Sequence, residues 1–101
     1  MSNPARGEAA LLVGGARITL RPSFAALVAA EGELGPLFVL AERASAGGLT
    51  LAEMAKLFWH CVADAPEGLT RERMGEAIVE MGLANVTPVL GVVLGQILRG
   101  R

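Results

Sequence analysis

The residues able to do chemistry are few, and their spacing keeps them from acting together. The 101-residue chain has a single histidine, His60, and a single cysteine, Cys61. Neighbours on a helix point about 100° apart, so this pair cannot hydrogen-bond as base and nucleophile. The spacing predicts His60 at a surface or boundary and Cys61 as a core thiol. Glu76 and Glu80 share a helical face, but a metal centre needs several convergent ligands. One His, one Cys and dispersed carboxylates do not supply them, and solvated helix surface accounts for the acids. Gly14-Gly15 and Gly47-Gly48 lack the strand–GxxxxGK–helix setting of a phosphate loop, and no dinucleotide fingerprint follows a strand. The expectation is a binding protein rather than an enzyme, with no catalytic residues, cofactor or metal. Trp59 is the informative oddity, because it falls between the stripe residues Phe58 and Val62, beside Leu57 and off the main apolar face. It either packs on a neighbouring helix or belongs to a binding surface, where tryptophan is over-represented among the residues that dominate affinity.

Composition narrows the partner. Nine Lys/Arg against ten Asp/Glu give a net charge of -1. The arginines mostly sit beside acids, as in Glu42-Arg43 and Arg71-Glu72-Arg73. No basic patch is available to neutralise phosphates, so nucleic acid is not the expected partner. The chain is 52% hydrophobic with a mean hydropathy of +0.49, yet has three Phe, one Trp and no Tyr. A domain this small cannot hide that much aliphatic surface, so part of it faces a partner or another copy. One free thiol fits a reducing cytoplasm or simply no dependence on redox state. Met1 to Arg6 leads into a Glu-containing alternating stretch rather than a signal-peptide core. Met81 to Leu98 carries no charge and is about long enough to span hydrocarbon. Asn85, Thr87, Pro88 and Gln96 interrupt it, however, so it reads as a buried or partner-facing helix and not a membrane span.

The elements that must position these residues are legible from periodicity and caps. Residues 1–7 read as a flexible N-terminal arm and 8–101 as one domain, with a hairpin over 8–21 and a helical part over 23–99. Gly14-Gly15 suits a type I′ turn. Folding about it pairs Val13 with Ala16, Leu11 with Ile18 and Ala9 with Leu20 on one apolar face. Leu12–Arg17, Ala10–Thr19 and Glu8–Arg21 pair on the other. Two strands alone are marginal in water, so that apolar face must lie on helices or on a second hairpin.

Pro22 stops the strand and Ser23 caps a helix with the stripe Phe24, Leu27, Val28 and Leu34. A second helix from Pro36 carries Leu37, Leu40, Ala41 and Ala44 and ends at Gly47-Gly48. Thr50 and Glu53 form a capping box for a third, with Leu51, Met54, Ala55, Phe58, Cys61 and Val62 as its stripe. Thr70 caps a fourth, with the stripe Met74, Ala77, Ile78 and Met81, and Gly82 closes it. The fifth starts with Thr87 as cap and Pro88 in its first turn. Leu90, Val93, Leu94 and Ile97 line one face of it, and Val89 and Val92 a second. Gly91 and Gly95, one turn apart, would let another helix approach closely. The fold class is α+β, mostly α: an N-terminal hairpin packed on a bundle of about five short helices. Trp59, Val89, Val92 and Gly95 are the candidate partner-binding residues.

One stretch carries a family resemblance. Leu20-Arg21-Pro22-Ser23-Phe24-Ala25-Ala26-Leu27, running on through Glu31 to Leu34-Gly35, resembles the gene transfer agent family of small tail proteins, related to phage tail assembly chaperones. The opening Arg6-Gly7-Glu8 with the Gly14-Gly15 hairpin, and Gly82-Leu83 after an amphipathic helix, are similar as well. The resemblance implies a protein that binds helical segments of a tape measure protein, or another tail protein, before the tail tube polymerises. The alternatives are a self-associating minor tail subunit, whose surplus apolar surface is buried between copies, or a small helical adaptor.

Overall fold

A computed structural model describes residues 8–99; the N-terminal arm expected over 1–7 lies outside the described residues. Strands β1 (Ala9–Val13) and β2 (Ala16–Leu20) form the expected hairpin in the expected register, Ala9 opposite Leu20 and Val13 opposite Ala16. Gly14 and Gly15 hold φ of 57° and 83°, the positive values a two-residue turn of this hand needs. Ala9, Leu11, Val13, Ile18 and Leu20 are buried. On the other face Arg21 Nε meets the buried Glu8 carboxylate at 2.6 Å.

The hairpin has a third strand that periodicity does not reveal. Helix α3 (Leu51–Cys61) runs directly into β3 (Val62–Ala63), which pairs antiparallel with β2 through Leu20–Val62 and Thr19–Ala63. Arg21 N–H donates to the Cys61 carbonyl at 2.6 Å and extends the junction by one bond. Two residues are too few to show an alternation, so the sequence carries Val62 only as the tail of a helical stripe.

The other helices are α1 (Phe24–Leu34), α2 (Leu37–Ser45), α4 (Arg71–Met81) and α5 (Leu83–Arg99). Their principal contacts close a ring, α1 on α3, α3 on α4, α4 on α5, α5 on α2 and α2 on α1, while α4 and α5 also pack on β1. The architecture is therefore α+β and mostly α. Local chemistry starts each helix. Ala26 N–H donates to Ser23 Oγ at 3.2 Å, and the Thr50–Glu53 capping box is complete. Arg73 N–H donates to Thr70 Oγ1 at 3.1 Å. Helix α2 begins at Pro36, which has no side-chain cap; Glu31 Oε2 accepts Leu37 N–H at 3.1 Å in its place. Glu31 is thus more than solvated surface.

Three expectations are corrected. Helix α5 does not start at Thr87 but four residues earlier, and runs through Pro88. Asn85 and Val86 N–H both donate to the Gly82 carbonyl, and Thr87 Oγ1 donates backwards to Leu83 O at 2.8 Å instead of capping. Proline here removes one intrahelical bond, and the extra turn seats Val86 fully in the core. On α1, Phe24 is 86% exposed and Val28 also faces out. The packed face there is Leu27, Ala30 and Leu34, with Ala30 fully buried.

The third correction concerns α3, whose stripe is rotated: Leu57 is 0% exposed and Leu51 is 43% exposed. Packing by α1 on one side and α4 on another widens the buried face of α3 beyond a single stripe. The two leucines accordingly separate in a stability measurement. Leu57→Ala should cost about 2–5 kcal/mol in urea unfolding, because it opens a cavity in the core. Leu51→Ala should cost less than about 1 kcal/mol. Equal shifts of the two midpoints would contradict this placement of α3.

Candidate interaction surface

Two ion-pair clusters fix the frame on which any surface is displayed. Glu33 on α1 gathers charges from two other helices: Arg71 Nη1 of α4 at 2.5 Å, His60 Nε2 of α3 at 2.7 Å and Lys56 Nζ of α3 at 3.9 Å. The Arg71 hydrogen bond, then that of His60, holds the Glu33 carboxyl below the usual carboxylate range. In the second cluster Arg43 of α2 reaches Glu53 of α3 with both guanidinium arms, at 2.8 and 2.5 Å. Glu53 also accepts the backbone N–H and hydroxyl of Thr50, each at 3.0 Å. Sequence order places Arg43 beside Glu42; the fold pairs it with the box glutamate instead and so joins α2 to α3.

The four residues expected to bind a partner fall on two helices. Trp59 is half-buried on α3, with the Arg71 guanidinium 5.9 Å from its ring centroid. It is therefore packed beside a residue of the neighbouring α4. Val89, Val92 and Gly95 lie on α5, all half-buried, and Val89 packs against the core cluster. Gly95 is not open backbone: a Cβ there would stand 2.7 Å from the Arg99 guanidinium, which folds over it. Because α3 packs chiefly on α1 and α4, and α5 on α2, α4 and β1, Trp59 and the α5 trio do not share one helix face.

The large uncovered apolar side chains lie elsewhere. Phe24 and Val28 face out from α1, one turn apart; Phe38, 67% exposed, and Val39 face out from α2. The signal for the α2 pair is present in the sequence, since Phe38 and Val39 fall off the Leu37–Leu40–Ala41–Ala44 stripe. Phe24 carries no such signal, because its spacing from Leu27 and Val28 suits a core position. Leu51 and Val79, 63% exposed, line a groove of about 540 Å³ between α3 and α4, together with Ala52, Ala55 and Gly75. Glu72, Glu76 and Glu80 follow its α4 side.

Among the described residues no group of three or more His, Cys, Asp or Glu is placed to hold a metal ion. Burial alone pushes the Cys61 thiol up to about 12, which leaves it protonated and unreactive. No single helix there is long and apolar enough to cross a membrane.

A closed aliphatic core beside uncovered apolar helix faces defines a small α+β protein built to contact other proteins. Over residues 6–100 the chain matches the family described as phage tail tube protein, GTA-gp10, and it belongs to that family of phage tail proteins. No curated protein and no solved structure matches it.

The Arg43–Glu53 cluster generates a pH prediction. Arg43 first, then Thr50, hold the Glu53 carboxyl down to about 2 from an ordinary 4.5. A carboxylate depressed in the folded state stabilises above its unfolded pKa and loses that contribution as pH falls through the folded one. Wild-type protein should therefore lose melting temperature more steeply than Glu53→Gln as pH falls from 4.5 to about 2. Above that window the offset between the two should stay constant.

Proposed function

We propose that this tail protein acts as an assembly chaperone, binding amphipathic helical segments of a tape measure protein in the host cytoplasm before the tube closes around it. The observation that carries the reading is the pair of uncovered aromatic faces, Phe24 with Val28 on α1 and Phe38 with Val39 on α2, in a molecule whose own core is already closed. Phe24 and Val28, one turn apart on α1, suit contact with the apolar stripe of another helix, and Phe38 and Val39 add adjacent exposed apolar side chains on α2. Family membership supplies the tail context.

A second reading has one specific observation in its favour. The family description is that of a tail tube protein, which fits a self-associating subunit burying the same faces between copies. The two readings differ in what covers Phe24 and Phe38, and that can be measured.

Co-expression with a long, helical tape measure protein should bring that protein into the soluble fraction and co-purify it with this chain. Phe24→Asp combined with Phe38→Asp should lower the recovered partner several-fold while far-UV circular dichroism stays unchanged. Sedimentation velocity of the chain alone should give a monomer or small oligomer across a concentration series. An insoluble long protein, with this chain alone growing into rings or polymers, would instead establish the structural-subunit reading.

A further inference from the structure

The groove between α3 and α4 differs from the aromatic faces in having charge along one side. Its apolar lining is Leu51, Ala52 and Ala55 from α3 with Gly75 and Val79 from α4. Gly75 faces the Ala55 methyl across the floor, where a Cβ would stand at an ordinary contact distance of 4.0 Å. Glu72, Glu76 and Glu80 recur every four residues along α4 and so form a row beside that lining. None of the three carboxylates has an ion pair or hydrogen bond among the described residues. Arg73 shares a smaller hollow at the hairpin turn with Val13, Gly14, Glu76 and Glu80, but no ion pair joins it to any of the three carboxylates. Arg71, the other cation at this end of α4, is held by Glu33.

We propose that this groove seats a helix of another protein whose apolar stripe is flanked by lysine or arginine. Charge complementarity selects the occupant. Three unpaired carboxylates along an apolar floor attract a cationic flank and repel an acidic one. Among the described residues no helix of a second copy flanks an apolar stripe with a row of unpaired cations: Arg43 is paired with Glu53, Lys56 and Arg71 with Glu33, and α1 carries none. Helix α5 has only Arg99, at its last turn, and the remaining helical cation, Arg73, stands alone on the otherwise acidic surface of α4. The groove is also of helix dimensions: its α4 lining from Glu72 to Glu80 gives about 12 Å of length, room for about two turns of a partner. The proposal rests on the chaperone reading in taking the occupant to be a tail protein helix, and it adds the chemistry that occupant must have.

The probe is a pair of synthetic amphipathic helices of about four turns, with identical leucine stripes flanked by lysine in one and glutamate in the other. Titrated against the full chain by fluorescence anisotropy, the lysine peptide should bind about tenfold more tightly at low salt, with the gap closing at high salt. The combined variant E72Q/E76Q/E80Q should erase the preference, and Val79→Asp should abolish binding of both. Equal binding of the two peptides by the wild type, or undiminished binding by a folded Val79→Asp chain, overturns the proposal. So does a Val79→Asp chain that rescues the long tail protein as well as wild type, although the chaperone reading would survive. If the lysine peptide binds as described but the long protein is never rescued, the groove stands and the chaperone reading falls.

Discussion

Helix α3 and the strand it becomes are the constraint around which the other elements are arranged. Leu57, Phe58 and Cys61 are fully buried, so one continuous face of α3 is in contact with protein on several sides. At Cys61 the chain leaves the helix for an extended conformation, and Val62–Ala63 completes the sheet against β2. A hairpin alone would be marginal in water. Here its central strand is hydrogen-bonded on both edges, one of them by the residues that end the core helix. Sheet and bundle therefore share a covalent and hydrogen-bonded joint rather than only a packed interface. Glu33 and Glu53 then tie α1, α4 and α2 back to α3 through charge.

A core assembled this way uses small and aliphatic side chains economically. Ala30, Ala41 and Ala77 are buried where helices cross, and Phe58 is the only aromatic in the core cluster. The other two phenylalanines, Phe24 and Phe38, are left outside. Burying a phenylalanine side chain is worth roughly 1.5–3 kcal/mol, so leaving two of three in water forgoes a sizeable share of a small protein's stability. Neither fold nor helix formation requires an aromatic at those positions: Ser23 and Glu31 already start the two helices. That cost is recovered only when something else covers them.

How far the sequence discloses this depends on the range of the signal. The hairpin register, the Ser23, Thr50 and Thr70 caps and the Gly82 stop are local, set by residues within a few positions of one another, and each was readable. So was the core thiol Cys61, from the stripe it shares with Phe58. What was not readable depends on distant neighbours. Leu57 is core because α1 and α4 flank α3 on different sides, which no single-helix periodicity can report. Val86 draws α5 back past Thr87 and Pro88, a case of core burial overriding a cap signal. Exposure depends on distant neighbours in the same way: Val89 lies on a second face of its helix yet is half-buried against the core, whereas Phe24 has the spacing of a core residue and is exposed.

A protein that guards apolar helices must hold them without keeping them. The uncovered apolar side chains stand on several helices, Phe24 and Val28 on α1, Phe38 and Val39 on α2, Leu51 on α3 and Val79 on α4. Charge adds selectivity without adding much lifetime, because exposed pairs are individually weak and strongly screened. The row of Glu72, Glu76 and Glu80 beside an apolar floor is therefore suited to choosing among helices rather than to gripping one. An obligate subunit has the opposite requirement, a large continuous apolar face that cannot stand alone in water. The chain satisfies its own core, leaves no buried side-chain polar atom unpaired among the described residues, and distributes its remaining apolar groups over separate helices. Those are the physical conditions that the proposed chaperone reading requires of the chain.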